Sequence, residues 1–344
     1  MAFEGDYAES TLTNPGTALT SFALLVDLAE LPQDWWDAVT SSDGTKGRAS
    51  KGDGSTEVAC DWIDFDDSGE SGWLRTMWSG SLAKSGIQNI RIYPPLTGNS
   101  IVAATAEFGQ YNVYDANWIA YWPLTDVNDR TDSQFTLTEA GSVPTGGGTG
   151  KVGAATHYDG SDDRHTSSAT PGQSEATYLA WVNMDDLDEA RNIILVNVAN
   201  AFWWWVGTDS STNNVQSFYN GGYVESNTAL TAGVWTHLAV RNNTTADETQ
   251  FFINGVADGT PEYDLGATPT DIAVGGTADG SKLCDGLIDE VQIHNAIRET
   301  DWIAEEYAQS DDNSSFWGAW SWSGGAAAAS IISGIVFYQR RMRV

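Results

Sequence analysis

The chain has 344 residues, 41% hydrophobic and 11% aromatic, a composition that excludes disorder and allows two domains of about 150 residues each. Its formal net charge of −31 excludes nucleic acid as a partner, because so acidic a surface repels phosphates. The two cysteines, Cys60 and Cys284, fall in different predicted domains, which argues against a disulfide framework. The first residues lack the basic and apolar regions of a secretory signal, so we expect no ordinary N-terminal export signal.

Residues 1–100 predict a small β domain. Short runs of β-branched and aromatic residues, separated by Gly, Asn and Asp, are typical of strands. Such runs predict strands over Ser21–Leu28, Glu57–Phe65, Gly72–Trp78 and Asn89–Tyr93, with a single helical turn at Asp34–Val39. Pro94-Pro95 then interrupts any strand. Residues 101–114 show no clean alternation and are assigned to a connector.

Residues 115–310 predict a second, larger β domain. Its near-regular runs indicate two packed antiparallel sheets. The predicted strands are Trp118–Leu124, Phe135–Leu137, Ala154–Tyr158, Thr177–Asn183, Asn192–Val198, Phe202–Val206, Val215–Tyr219, Trp235–Arg241, Gln250–Ile253, Asp271–Val274 and Gly286–His294. A helix is predicted at Thr300–Gln309, with Thr300 as its N-cap. The fold class is therefore all-β, with a short helix near the C-terminus.

Four phrases in order carry a resemblance to a known family: Tyr121–Leu124, Gly150–Gly160, Trp235–Val240 with Phe252–Gly255, and Gly286–Asn295. Together they resemble the laminin-G-like, concanavalin-A-like jelly-roll domains, over more than half of the chain. Residues 1–100 resemble the small β domain of unknown function that often precedes such a jelly roll, on Phe22–Leu28, Asp34–Trp36 and Gln88–Tyr93. This pairing occurs in bacterial surface proteins and tailed-phage virion proteins, and the resemblance implies such a setting.

Acidic loops are candidates for a calcium site. Asp126 begins a series of aspartates at three-residue spacing, and Asp159, Asp162 and Asp163 cluster after an Asp-Gly turn. Calcium takes about six to eight oxygen ligands, which carboxylate loops supply. The resemblance also implies calcium on one rim of the jelly roll. The alternative is that an acidic chain carries aspartate in every loop by composition alone. Asp289 is expected to accept hydrogen bonds as a structural carboxylate.

Aromatic residues of the second domain are candidates for ligand stacking. In a strand over Phe202–Val206, Trp203 and Trp205 share one face, opposite the face that must enter the core. Together with Tyr219 and Tyr223 they could stack on sugar rings. The alternative is that these tryptophans pack against a neighbouring domain or subunit.

No pattern in the chain predicts catalysis. The histidines His157, His165, His237 and His294 show no metal-ligand spacing and are expected to be structural. Jelly-roll glycosidases need two carboxylates about 5–10 Å apart across a cleft. The nearest pattern, Asp186–Glu189, is predicted to be a loop. We therefore expect a protein that is not an enzyme.

Residues 311–344 predict an apolar segment for anchoring or for insertion into a partner. Trp317–Tyr338 is uncharged over 22 residues and is followed by a cluster of arginines. Roughly 20 apolar residues span a bilayer, so one interpretation is a transmembrane helix with cytoplasmic arginines. The other is a strand or helix that inserts into a partner subunit. The residues assigned to anchoring are Ile331, Ile332, Ile335, Val336, Phe337, Arg340 and Arg341.

These observations favour a non-enzymatic virion surface or decoration protein. Its lectin-like domain would bind a glycan or a host surface, and its C-terminal segment would hold it in an oligomeric assembly with other virion proteins. Two alternatives stay open: a membrane-anchored cell-surface adhesin, and a capsid accessory protein with a purely structural role.

Overall fold

The structure is a computed structural model. It describes residues 5–13, 19–82, 87–141, 146–167, 175–187, 191–197, 203–206, 212–219, 222–262, 271–277 and 280–324. Within these ranges four β-sheets dominate and the helices are short. The all-β prediction is confirmed.

The N-terminal domain is a pair of small antiparallel sheets. Its elements are β1 (Ala8–Thr13), β2 (Leu19–Asp27), α1 (Gln33–Ala38), β3 (Arg48–Lys51), β4 (Glu57–Val58), β5 (Cys60–Asp66), β6 (Ser71–Leu82) and β7 (Ile87–Tyr93). One sheet has the order β2-β6-β5, and the other contains β1-β7-β3-β4. Trp35 of α1 is fully buried, and its indole Nε1 donates to the carbonyl of Ile92 at 2.9 Å. Sequence reasoning missed β1 and β3 because buried serines, Ser10 and Ser50, interrupt their apolar alternation.

The second domain is a sandwich of two large sheets. Its strands are β8 (Trp118–Trp122), β9 (Thr138–Ala140), β10 (Gly148–Thr149), β11 (Ala154–Asp159), β12 (Arg164–Ser167), β13 (Ala176–Met184), β14 (Arg191–Asn197), β15 (Trp203–Val206), β16 (Asn214–Tyr219), β17 (Gly222–Ala229), β18 (Thr236–Asn243), β19 (Glu248–Ile253), β20 (Val256–Glu262), β21 (Asp271–Val274) and β22 (Asp285–His294). The strand predicted at Phe135–Leu137 lies instead at β9, and β10, β12, β17 and β20 were not predicted.

One of these sheets, which we call the covered sheet, has the order β10-β11-β22-β13-β18-β19-β20, with β8 also paired to β22. Both faces of its central strands β22, β13 and β18 are buried, whereas the edge strand β20 is largely exposed. Along β13, Tyr178 and Ala180 belong to the core between the two sheets, whereas Leu179 belongs to the core shared with the N-terminal domain. The other, which we call the outer sheet, has the order β17-β16-β15-β14-β21-β12-β9.

The end of the described chain returns to the N-terminal domain. It forms α2 (Thr300–Asp311), α3 (Asn313–Phe316) and β23 (Ser321–Trp322), and β23 pairs with the edge strand β1. Gln309 bonds to the backbone of β2 through both amide atoms, and the Trp317 indole donates to the Leu25 carbonyl at 2.9 Å. The N-cap of α2 is Glu299 and not Thr300 as predicted.

The segment assigned to anchoring is therefore described only in part. Residues 311–324 form the end of α2, helix α3 and strand β23, which pack on the N-terminal sheets. The anchoring candidates lie outside the described residues: Ile331, Ile332, Ile335, Val336, Phe337, Arg340 and Arg341. Among the described helices none is long and apolar enough to cross a bilayer.

Candidate functional site

The glycine turn at residues 150–153 ties the two domains together. Asp289 of β22 accepts hydrogen bonds from the backbone amides of Lys151 and Val152 at 2.6 and 3.0 Å. A Cβ at Gly150 would lie 2.4 Å from the Asp289 carboxylate, so glycine permits this approach. Asp64 of the N-terminal domain accepts from the amide of Ala154 at 3.1 Å. The structural role predicted for Asp289 is confirmed.

A buried charge cluster joins β6 of the N-terminal domain to β22 and α2. The Arg75 guanidinium is fully buried and lies 2.5 Å from the Glu290 carboxylate and 2.8 Å from that of Glu306. Its Nε donates to the Tyr121 hydroxyl, which in turn donates to Glu290. Burial raises the pKa of Glu290, against the opposing effect of Arg75. Gln292 and Gln309 donate to the Glu306 oxygens, so both carboxylates are bonded on several sides.

A second buried acid lies nearby, at the junction of β5 with the connector. The Tyr114 hydroxyl donates to Asp61 at 2.5 Å, and a guanidinium nitrogen of Arg130 lies 3.7 Å from the same carboxylate. Burial raises the pKa of Asp61 and raises that of the neighbouring Cys60 thiol to about 12. The Tyr114–Asp61 hydrogen bond holds the end of the connector against the N-terminal domain.

Three of the four predicted calcium ligands come together on one rim of the sandwich. Carboxylate oxygens of Asp159, Asp162 and Asp163 lie within 4.8 Å of one another. Asp159 accepts from the amide of Ser161 at 2.8 Å, which shapes the loop. The fourth, Asp126, is not part of this group: it caps the amide of Asn128 and lies 3.5 Å from Arg130. The oxygen-only donor set fits the chemistry of calcium.

A second group of ligand-type side chains adjoins this rim and was missed from the sequence. Nitrogen or oxygen atoms of His157, Asp185 and Asp285 also lie within 4.8 Å of one another. The three residues are far apart in the chain, and Asp285 pairs in register with Asp159. The only sequence signal for this group was that His157 and Asp159, two residues apart on β11, share one face of the strand.

The outer sheet carries the predicted aromatic candidates. Trp203 pairs with Phe218, which pairs with Tyr223, so the three occupy one row on one face of the sheet. The Tyr223 side chain is 55% exposed, whereas Val224 beside it is buried. That row therefore lies on the face turned away from the core.

Two further candidates of this set have different positions. Trp205 pairs with Gln216, two residues along from the Trp203 row and on the same face. Tyr219 pairs with Gly222 and is one position out of step with Tyr223, so it belongs to the opposite face. The side-chain positions of Trp203, Trp205, Phe218 and Tyr219 lie outside the described part of the structure, so their faces follow from the strand register alone.

The histidines other than His157 are buried. His165 bonds to the Tyr158 hydroxyl at 2.8 Å, and His294 bonds to Gln292 at 3.2 Å, in agreement with structural roles. His237 packs against the rings of Trp181 and Tyr307, and its Nδ1 has no hydrogen-bond partner among the described residues. Burial lowers the pKa of His165 and of His237 to about 4.

Comparison with known proteins agrees with the architecture. Residues 159–304 match a family model described as the concanavalin A-like lectin/glucanases superfamily, so the laminin-G-like jelly-roll prediction is confirmed for this domain. No curated protein matches the chain significantly.

Solved structures resemble the chain at low identity. Domain 4 of an extracellular arabinanase from Geobacillus stearothermophilus, solved with arabinotriose, is 20% identical, with a TM-score of 0.45 over 57% of this chain and 100% of that one. The binding domain of Paraclostridial Mosquitocidal Protein 1 is 11% identical, with a TM-score of 0.45 over 56% and 52%. The botulinum neurotoxin serotype D binding domain is 13% identical, with a TM-score of 0.42 over 56% and 51%. The chain spans about half the length of these two toxin domains.

Proposed function

We propose that this chain is a non-enzymatic surface protein of a virion, whose jelly-roll domain binds a glycan or another ligand on a host surface. The observation that carries the binding proposal is the aromatic row of Trp203, Phe218 and Tyr223 on the outer face of a lectin-family domain. The flat face of an aromatic ring suits the apolar C–H face of a sugar.

Polar groups beside this row support the same proposal. Gln216 and Glu225 form a cross-strand pair two residues along their strands from Phe218 and Tyr223. The Gln216 amide donates to the Glu225 carboxylate at 3.0 Å. An aromatic platform flanked by an amide and a carboxylate offers both stacking and hydrogen bonds to sugar hydroxyls. This face of the outer sheet exposes Tyr223, whereas the corresponding face of the covered sheet packs against helix α2 and the N-terminal domain.

We further propose that Asp159, Asp162 and Asp163 bind calcium. Asp163 is almost fully buried, whereas Asp159 and Asp162 are exposed. A divalent cation would offset the repulsion among three carboxylates held within 4.8 Å. The cation would order the loop between β11 and β12, which joins the covered sheet to the outer sheet.

The absence of catalysis belongs to the same proposal. The buried carboxylates Glu290 and Glu306 are bonded to Arg75 and to neighbouring amide and hydroxyl groups between the domains. Asp289 likewise accepts backbone amides. A general acid or base must reach a substrate, and these groups are covered by protein on all sides.

The C-terminal segment favours assembly over membrane anchoring. Trp317 is almost fully buried and Trp322 lies in β23, so the aromatic end of the uncharged run belongs to the folded domain. The remainder of that run, residues 325–338, has 14 residues. That is shorter than the roughly 20 needed to cross a bilayer. We therefore favour insertion into a partner subunit of an oligomeric virion assembly, with Arg340 and Arg341 on acidic partner surfaces.

Binding is tested on a glycan array and on host cells, with and without calcium. We expect Tyr223→Ala and Trp203→Ala to lower binding at least tenfold, an estimate from the energy of one lost aromatic stack. Val256→Ala is the control, because Val256 is also more than half exposed but lies on the covered sheet. Equal binding by all variants, or no binding under either condition, would contradict the recognition proposal.

The setting is tested separately. Deletion of residues 325–344 should release the protein from its particle while leaving its glycan binding unchanged. Release from membranes only by detergent would instead support the adhesin. Loss of assembly in Trp203→Ala with no ligand found would support the purely structural role.

A further inference from the structure

His157, Asp185 and Asp285 meet at one end of the covered sheet. They come from β11, from the residue after β13 and from the first residue of β22, which are three neighbouring strands in the order β11-β22-β13. The His157 Nε2 atom lies 3.2 Å from a carboxylate oxygen of Asp185, and all three donor atoms lie within 4.8 Å. The imidazole is 42% exposed, so the group is open to solvent.

The backbone of the sheet holds the three residues together. The amide of Asp185 donates to the carbonyl of Asp285 at 2.9 Å, and His157 pairs in register with Leu287. Gly286 has a φ of +137°, and a Cβ there would lie 2.8 Å from the Asp185 nitrogen and 2.4 Å from the Asn183 carbonyl oxygen. Glycine at this position therefore permits the close approach of β22 to Asp185.

No lysine or arginine balances the charge of this group in the part of the chain that the structure describes. Among the described residues, neither Asp185 nor Asp285 forms an ion pair with lysine or arginine. The Asp159 cluster adds further negative charge, because Asp159 is the direct cross-strand partner of Asp285. A divalent cation would balance this charge at the point where it is most concentrated.

We propose that His157, Asp185 and Asp285 form a binding site for a divalent transition metal of the zinc class. One imidazole nitrogen with two carboxylates is a donor set for such metals, whereas calcium takes oxygen ligands. Two ligands of a tetrahedral zinc ion, at bond lengths of about 2.0–2.1 Å, are about 3.3 Å apart. The His157–Asp185 separation of 3.2 Å is close to this value, and Asp285 offers a carboxylate oxygen within 4.8 Å of both.

Three protein ligands leave one position of a tetrahedral ion open. In zinc sites with three protein ligands the fourth position holds water or a bound substrate. The site is separate from the Asp159, Asp162 and Asp163 cluster because it contains none of those residues. It also stands independently of glycan binding by the outer sheet.

The small number of histidines in the chain makes this site testable by NMR. It has four histidines, and His165, His237 and His294 are buried. We expect titration with zinc chloride, followed by calorimetry, to give one equivalent of binding. The same titration, followed by NMR of the imidazole protons, should shift the His157 signals alone. Shifts at the buried histidines without a shift at His157 would overturn the proposal.

Variants separate this site from the calcium cluster. His157→Ala and Asp285→Asn should each weaken zinc binding by at least about tenfold, since even outer-sphere losses cost that much. Asp162→Asn is the matched control: it should keep zinc binding and lower only the response to calcium. Melting temperatures measured without metal identify any variant that fails to fold. Equal zinc affinity in a folded His157→Ala variant, or no binding to the wild-type chain at millimolar zinc, would mean that the contact is a histidine–aspartate hydrogen bond only.

Discussion

Replacement of Arg75 by methionine probes the junction between the domains. Methionine keeps much of the length of the side chain but leaves the Glu290 and Glu306 carboxylates buried without their cation. Removal of one partner from a buried ion pair costs about 3–5 kcal/mol. We therefore expect Arg75→Met to lower the free energy of unfolding by about that amount at pH 8. The measurement is denaturation in guanidinium chloride, followed by the fluorescence of the 16 tryptophans.

The pH dependence of this loss follows from the Glu290 carboxyl. Burial already raises the pKa of Glu290, and loss of Arg75 raises it further because the guanidinium no longer stabilises the ionised form. Below that pKa the carboxyl is neutral and needs no cation. The cost of Arg75→Met should therefore be smaller at pH 5 than at pH 8, and Glu290→Gln in the same chain should recover part of it.

Arg91 supplies the matched control. Its guanidinium lies 2.6 Å from Glu9, much as Arg75 lies from Glu290, but both side chains are partly exposed. An exposed pair contributes about 1 kcal/mol or less, so Arg91→Met should have a small effect. The reasoning is refuted if Arg75→Met costs no more than Arg91→Met, or if its cost is the same at both pH values. If the N-terminal domain of the Arg75→Met variant unfolds in a separate transition, this charge cluster also couples the unfolding of the two domains.

Three further predictions concern stability. Burial raises the pKa of Glu305 from 4.5 to about 7, so its contribution to the free energy of unfolding is lost as the pH rises from 4.5 through 7. Glu305→Gln should therefore raise the free energy of unfolding by about 1–2 kcal/mol at pH 8 and leave it unchanged at pH 4. Burial lowers the pKa of His237 from 6.5 to about 4, so stability falls as pH drops through this window, and His237→Gln should make that fall shallower in acid denaturation; an unchanged slope would contradict this. Gly150→Ala should lower stability by about 1–3 kcal/mol, because its methyl group meets Asp289, whereas Gly98→Ala, with open space around it, should be neutral by thermal melting.

Local sequence patterns were sufficient for most strands of the sandwich. Strands β13, β18 and β22 are runs of apolar and aromatic residues between turn signals, and each lies within two residues of its predicted bounds. The misses have specific causes. Strand β20, Val256–Glu262, contains glycine and proline and is largely exposed, so it lacks the apolar pattern of a strand. It forms because the β19 edge and the Asn254-Gly255 turn place it there.

The candidate sites divide in the same way. The Asp159, Asp162 and Asp163 cluster was predicted because its members lie within five residues of one another in one loop. Asp126 was grouped with them because of the three-residue spacing of its aspartate series, but in the structure it caps the Asn128 amide and lies beside Arg130. Tyr219 was grouped with Tyr223 on residue type, but the pairing register decides which face each occupies, and a one-residue offset reverses the face.

The all-β class and the acidic rim loop were predictable from local sequence, because strand alternation, turn residues and loop composition act within a few residues of chain. The jelly roll was predicted from the resemblance of four phrases to a known family. The pairing of Ser321–Trp322 with strand β1 of the N-terminal domain became visible only in the folded structure. The same holds for the burial of Arg75 between Glu290 and Glu306 and for the meeting of His157 with Asp185 and Asp285. Each of these contacts joins residues far apart in sequence. Which distant strands become neighbours depends on burial of the whole apolar surface at once, and no local pattern carries that information.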